Sequence, residues 1–187
     1  MDKSFSINKV SAGWIMGSIV GEGGAIFFDA SYLTNFLDDF MLGLLTVLGK
    51  WPADEHKDKF EMEEEPAFSL WDVSLDEGSF VFHVVTYESY TERKVIDDKT
   101  VKVKREQFLA DFISEMSDVL KRFGLFGFRS EWHYFEFPLS LFLMIKDAAG
   151  GNSLEVMEND GATNCGMEYE STDFVAELRA IQSILIE

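Results

Sequence analysis

Three features of the sequence predict an α+β fold: a mainly antiparallel sheet built from hairpins, with amphipathic helices packed on one face. Two β-prone runs flank the glycine cluster Gly21-Glu22-Gly23-Gly24, and two more flank Asp76-Glu77-Gly78. Two long segments, 31–48 and 106–123, repeat apolar residues at helical spacing. Because the strands come in hairpins rather than singly between helices, a doubly wound parallel sheet is disfavoured. No Pro- or Ser-rich linker divides the chain, so residues 1–187 read as a single α+β domain.

Taken in order, Phe5 and Ile7 alternate with polar neighbours and open the first strand. Trp14 to Val20 and Ala25 to Phe28 form a hairpin about the glycine cluster, since glycine supplies the positive φ that tight turns require. From Asp29 the period changes. Tyr32/Leu33, Phe36/Leu37, Phe40/Met41 and Leu44/Leu45 recur every four residues on one helical stripe, with Asp29 or Ser31 as cap and Gly49 and Pro52 as stop signals. Residues 53–66 hold seven acidic residues against two lysines and read as a solvated connection. Ala67 to Leu75 and Ser79 to Tyr87 form the second hairpin, and Thr100 to Lys104 adds a strand with one wet face.

The stripe Phe108/Leu109, Phe112/Ile113, Met116, Val119/Leu120, Phe123 marks a second helix, ended by Gly124. The aromatic stretch Phe126 to Phe137 reads as a strand, Pro138 opens the apolar segment Leu139 to Ile145, and Ser171 to Leu185 closes with a third amphipathic helix. The two long helices share an apolar register and each follows strands. A duplicated ββα unit produces that pattern, and so do two unrelated amphipathic helices.

Composition removes several classes of function. The chain has 187 residues, 47% of them apolar, and its 34 acidic residues against 16 basic ones give a net charge of −18. So much aromatic and aliphatic material is inconsistent with a disordered acidic chain. The N-terminus lacks an apolar signal region, and the longest apolar run, Phe40 to Leu48, is too short to span a bilayer, which predicts a cytoplasmic protein. The net charge argues against direct binding to nucleic acid or anionic lipid. Cys165 is the only cysteine, so no internal disulfide and no CxxC pair exists.

Catalytic motifs are lacking. The glycine cluster misses the Lys-Ser/Thr ending of a phosphate loop, has Ile26 where GxGxxG needs glycine, and leads into a strand rather than a helix. His56, in Asp54-Glu55-His56-Lys57-Asp58, matches no rigid ligand set and reads as part of a solvated loop. His83 shares a strand face with Val81, Val85 and Tyr87, the pattern of a hydrogen-bonded core histidine. Cys165 has no adjacent base to activate it. Arg129, Glu131 and His133 fall on one face if 126–135 is a strand, which offers a small acid/base site for a hydrolase; the plainer reading is a salt-bridged face. No cofactor, metal ligand or catalytic residue is assigned.

What remains is the charge. Residues 53–66 carry a net −5 and residues 147–187 a net −8, whereas 88–106 hold five acids and six bases. Such asymmetry steers a basic partner. The order FFDASYLTNFLDDFMLGLL, hairpin strands, a second amphipathic helix and EWHYFEFPLSLFL resembles small bacterial proteins and the immunity proteins of contact-dependent growth inhibition and related polymorphic toxin systems. That resemblance implies a cytoplasmic, non-enzymatic inhibitor that binds its cognate toxin directly, and it transfers no individual residues.

The sequence reading is therefore an acidic protein that occludes the active site of a basic, nuclease-type toxin. Its expected contacts are Asp54, Glu55, Asp58, Glu61, Glu63, Glu64 and Glu65, then Glu155, Glu158 and Asp160, with Trp51 as the exposed aromatic anchor. The alternatives are the Glu131/His133 hydrolase and a homo-oligomeric structural protein.

Overall fold

The computed structural model describes residues 3–52, 57–133, 135–150, 156–158, 170–172 and 174–186; of 156–158, 170–172, 174–176 and 184–186 it describes the backbone alone. Along the chain run β1 (Phe5–Ser11), β2 (Trp14–Gly21), β3 (Gly24–Ser31), α1 (Phe36–Val47), β4 (Lys59–Glu63), β5 (Phe68–Asp76), β6 (Ser79–Tyr87) and β7 (Val95–Lys104). Then follow α2 (Arg105–Glu131), α3 (Leu139–Ala148), β8 (Val156–Glu158), β9 (Glu170–Thr172) and α4 (Phe174–Ile186). This is the expected α+β class with antiparallel hairpins. The strands divide between two main sheets, β1-β2-β3 and β4-β5-β6-β7, and the pair β8-β9.

Both predicted hairpins form. Gly21 pairs with Gly24, leaving Glu22-Gly23 as the turn, and Asp76 pairs with Ser79 across Glu77-Gly78. Glu77 and Gly78 have φ of 47° and 75°, the positive values of a turn whose twist matches the flanking strands. The first turn also joins the sheets. Glu22 and Lys102 exchange two backbone hydrogen bonds of 2.9 Å, so the three-stranded sheet is tied to β7. Gly23 makes this possible: its φ is +97°, and a Cβ there would lie 2.4 Å from the Thr100 carbonyl oxygen.

Three segments differ from the sequence reading. The first helix begins at Phe36 rather than near Ser31, because β3 continues to Ser31, which pairs with Trp14; Asn35 takes the cap position without a side-chain capping bond. Tyr32 and Leu33 are exposed in the turn before α1 rather than on its buried stripe. The acidic stretch 53–66 contains β4, whose Phe60 and Met62 point inward against Trp71 and the core. Finally, the segment read as a strand from Phe126 is helical to Glu131. α2 bends at Gly124, where φ is 62° and ψ 179°, and then resumes. Pro138 caps α3 rather than occupying its first turn.

The core lies between the sheets and helices. Phe40 of α1 is fully buried at its centre, with ring centroids of Phe5, Phe36, Phe60, Trp71, Phe82, Phe108 and Phe112 all within 6.3 Å. These rings come from β1, α1, β4, β5, β6 and α2. α2 also closes the open edge of β1: the Asp111 carboxylate accepts from the Ser4 backbone N–H at 2.7 Å, and Glu115 from that of Ile7 at 3.2 Å. A bare sheet edge is a template for pairing with another chain, and the carboxylates fill that role here.

Candidate protein-interaction surface

A strongly acidic part of the described surface is organised by β4. Alternation sends Phe60 and Met62 to the core and leaves Lys59, Glu61 and Glu63 on the outer face of the four-stranded sheet. Lys59 is neutralised across the sheet by Asp72 at 2.6 Å. Glu61 and Glu63 instead face Tyr90, which follows β6. The Tyr90 hydroxyl donates to Glu61, and its ring stacks on Phe68 with centroids 4.1 Å apart and planes 6° from parallel. Phe68 stacks in turn on Tyr87 at 5.0 Å. Burial of the hydroxyl and its bonds to both carboxylates push the Tyr90 pKa far above its ordinary value, so the phenol stays protonated and the acids stay together.

Glu64 behaves differently from its neighbours. The Trp71 indole N–H donates to Ser69 Oγ at 3.0 Å, and Ser69 donates to Glu64 Oε1 at 2.9 Å, a chain that satisfies two buried polar groups. Burial raises the Glu64 pKa above the ordinary carboxylate range, the Ser69 bond partly offsets this, and repulsion from Asp29 and Asp97 adds to it. Glu64 is thus a structural acceptor and not the freely exposed contact that the sequence implied. Its neighbour Asp29 lies on β3 on the same face as Phe27, which is 72% exposed. On α1, burial likewise raises the pKa values of Asp38 and Asp39.

The expected contacts therefore divide. Glu61 and Glu63 form one strip beside Tyr90 and the 41% exposed Leu70, and Glu65 is exposed just beyond the end of β4. Asp58 is half-buried, and its carbonyl continues the ladder by accepting from Val73 N–H at 2.8 Å. Trp51 is not an exposed anchor: it is largely buried and packs against the core where α1 ends. Asp54, Glu55, Glu155 and Asp160 lie outside the described residues, as do His56 and Cys165; Glu158 belongs to β8 and its side chain is not described. Among the exposed aromatics that sequence reasoning missed are Tyr90 and Phe27. Phe27 was legible as the outward member of an alternating strand, whereas Tyr90 sits in a loop with no periodic signal.

Arg129, Glu131 and His133 do not share a face. Arg129 and Glu131 are two positions apart on a helix, about 200° around its axis. Arg129 donates to Glu136 at 2.7 Å, Glu131 Oε2 and its carbonyl oxygen accept from Ala12 and Gly13 at the β1–β2 turn, and the His133 ring lies 4.2 Å from that of Tyr32. His83 is on the outer face of the sheet rather than in the core, bonded to Asp98 at 2.9 Å. Among the described residues no three His, Cys, Asp or Glu side chains are grouped to hold a metal ion, and no helix is long and apolar enough to cross a membrane. No family model, curated protein or solved structure significantly matches the chain.

Proposed function

We propose that the chain is a non-enzymatic acidic binding protein, an immunity protein that works in the cytoplasm and neutralises a basic, nuclease-type toxin by covering its active site. The observation that supports this reading is the pair Glu61 and Glu63 held beside Tyr90, with the exposed Leu70 opposite Glu61 and the exposed Glu65 following in the chain. It combines what a competitor for a phosphate-binding site requires: carboxylates at fixed spacing to meet lysine and arginine side chains, and exposed apolar groups to supply the desolvated contact that carboxylates alone lack. Tyr90 pins the two strand carboxylates, which lowers the ordering cost on binding. The long-range field of a −18 chain steers a cationic partner and weakens with salt.

The experiment is affinity capture of the tagged chain from its host, followed by titration of the captured toxin domain. Charge reversal in the triple variant Glu61→Lys, Glu63→Lys, Glu65→Lys is expected to weaken binding by about a hundredfold and to flatten its salt dependence. Affinity unchanged at low salt refutes the assignment of this surface.

A further inference from the structure

The loop 88–94 joins β6 to β7 beyond their last ladder pair, Tyr87 with Val95. It closes on itself: Glu88 N–H donates to the Lys94 carbonyl at 2.9 Å, Arg93 N–H to the Ser89 carbonyl at 3.0 Å, and Glu92 N–H to Ser89 Oγ at 3.2 Å. Among the described residues, its hydrogen bonds to the rest of the fold come from one side chain, the Tyr90 hydroxyl, on Glu61 and Glu63. The Tyr90 ring stacks on Phe68, which is only 2% exposed beneath it although it lies on the outer face of the sheet, directly opposite Glu63. Lifting the loop therefore breaks one stack and the bonds of one hydroxyl, and leaves the β6–β7 ladder intact.

The slot that Tyr90 fills is chemically unfinished. Glu61 and Glu63 share a neutral phenol, and among the described residues neither carboxylate has an ion pair: Lys59 goes to Asp72 and Lys94 to Glu88. Burial and the two carboxylates push the Tyr90 pKa far upward, and the carboxylate part of that push reflects a negative potential that one neutral donor does not offset. We propose that Tyr90 is the chain's own stand-in for an arginine, and that an arginine side chain of the basic partner displaces it, stacking on Phe68 and forking to Glu61 and Glu63. A guanidinium has the phenol's flat face and edge donor, and adds a positive charge and further N–H groups in the same plane. Lysine brings the charge without the plane, so the slot selects arginine over lysine. Until displacement Tyr90 holds both carboxylates in place and shields Phe68 from water. It also competes with the partner, whose observed affinity is reduced by the fraction of molecules in which the slot is closed. In naming the partner as a basic protein, this inference rests on the reading above, and it narrows that reading to one residue type.

The test is titration of the isotope-labelled full chain with capped tetra-arginine and tetra-lysine peptides, followed through the amide resonances of Glu63, Phe68 and Tyr87. Both peptides feel the net charge of −18 alike, so their difference reports the slot. Saturable shifts are expected at these positions, with arginine bound about fivefold more tightly than lysine and a further gain of about tenfold for arginine in Tyr90→Ala. Tyr90→Phe keeps the stack and removes the donor, so it gains less, about threefold, and carries the test if Tyr90→Ala fails to fold. Glu61→Gln/Glu63→Gln abolishes the shift at Phe68 with the near-UV circular dichroism unchanged. Equal affinity for the two peptides overturns the proposal, as does the absence of shifts at Phe68 and Tyr87 at low salt. Arginine affinity that is unchanged or lower when Tyr90 is replaced overturns it too, since Tyr90 is then a bystander or a contact rather than an occupant. No toxin enters this assay, so its failure strikes the arginine slot alone. A captured toxin that binds the triple charge-reversal variant undiminished strikes the toxin surface instead, and leaves an arginine-selective slot standing.

Discussion

Replacing Phe40 by alanine tests the central claim about the core. The ring is fully buried and meets seven other rings, contributed by both main sheets and by α1 and α2. Removing it forfeits the transfer free energy of the ring and leaves a cavity. The surrounding aromatics, fixed on five other elements, collapse poorly into that space. Phe→Ala substitutions in cores cost about 3–5 kcal/mol, and poor collapse places this one near the upper end, about 4 kcal/mol. With a urea m-value of about 2 kcal/mol/M, the midpoint falls by about 2 M at unchanged m. Urea unfolding followed by circular dichroism measures this, with Phe126→Ala as an exposed control expected to shift by less than about 0.25 M. If alanine prevents folding altogether, Phe40→Leu carries the test at about 1–2 kcal/mol. A midpoint for Phe40→Ala within about 0.5 M of the wild type refutes a shared core with Phe40 at its centre.

Two further outcomes follow from geometry and charge. Gly17 of β2 has no room for a side chain, since a Cβ would sit 2.4 Å from both Phe28 Cζ and the Ser6 carbonyl oxygen. Gly17→Ala therefore destabilises by about 2–4 kcal/mol in urea unfolding, and a cost below about 1 kcal/mol contradicts the β1–β2–β3 register. Glu64, Asp38 and Asp39 all have folded-state pKa values raised by burial, so between their ordinary values of 4.5 and 3.8 and their folded values the native state binds more protons than the unfolded one. Stability then rises as pH falls from neutrality through the folded values toward the unfolded ones, and is lost again as pH rises. Glu64→Gln, which keeps an acceptor for Ser69, is expected to raise stability at pH 7 and reduce that slope; an unchanged slope in urea melts across this range excludes Glu64 as a source.

The hairpins and the two long helices were legible because each combines a local turn or period with a matching neighbour. Glycine at 21–24 and at 78 fixes the turns whatever the rest of the chain does. The misreadings share a different cause. β4 has only Phe60 and Met62 on its inner face, and five acids around them in residues 58–65 hide a short alternation. The helical turn after Gly124 reads as a strand because Phe126 and Phe128 alternate with small or charged residues, and a run that short carries either period. At the surface, the acidic stretch was visible in composition, but the difference between Glu63 and Glu64 was not. It depends on Ser69 and Trp71 on the neighbouring strand and on Asp29 from the other sheet, partners that only the folded chain assembles.

The carboxylates that close the edge of β1 set a clock on biosynthesis. Ser4 and its partner Asp111 are 107 residues apart, so the first strand leaves the ribosome long before the helix that covers it exists. At about 5–20 residues per second, that interval lasts on the order of 5–20 s. Throughout it β1 can pair only with β2, and its other side stands open to any extended chain nearby. The N-terminal sheet therefore keeps one open edge until α2 emerges, and that interval is when it is most exposed to pairing with other extended chains.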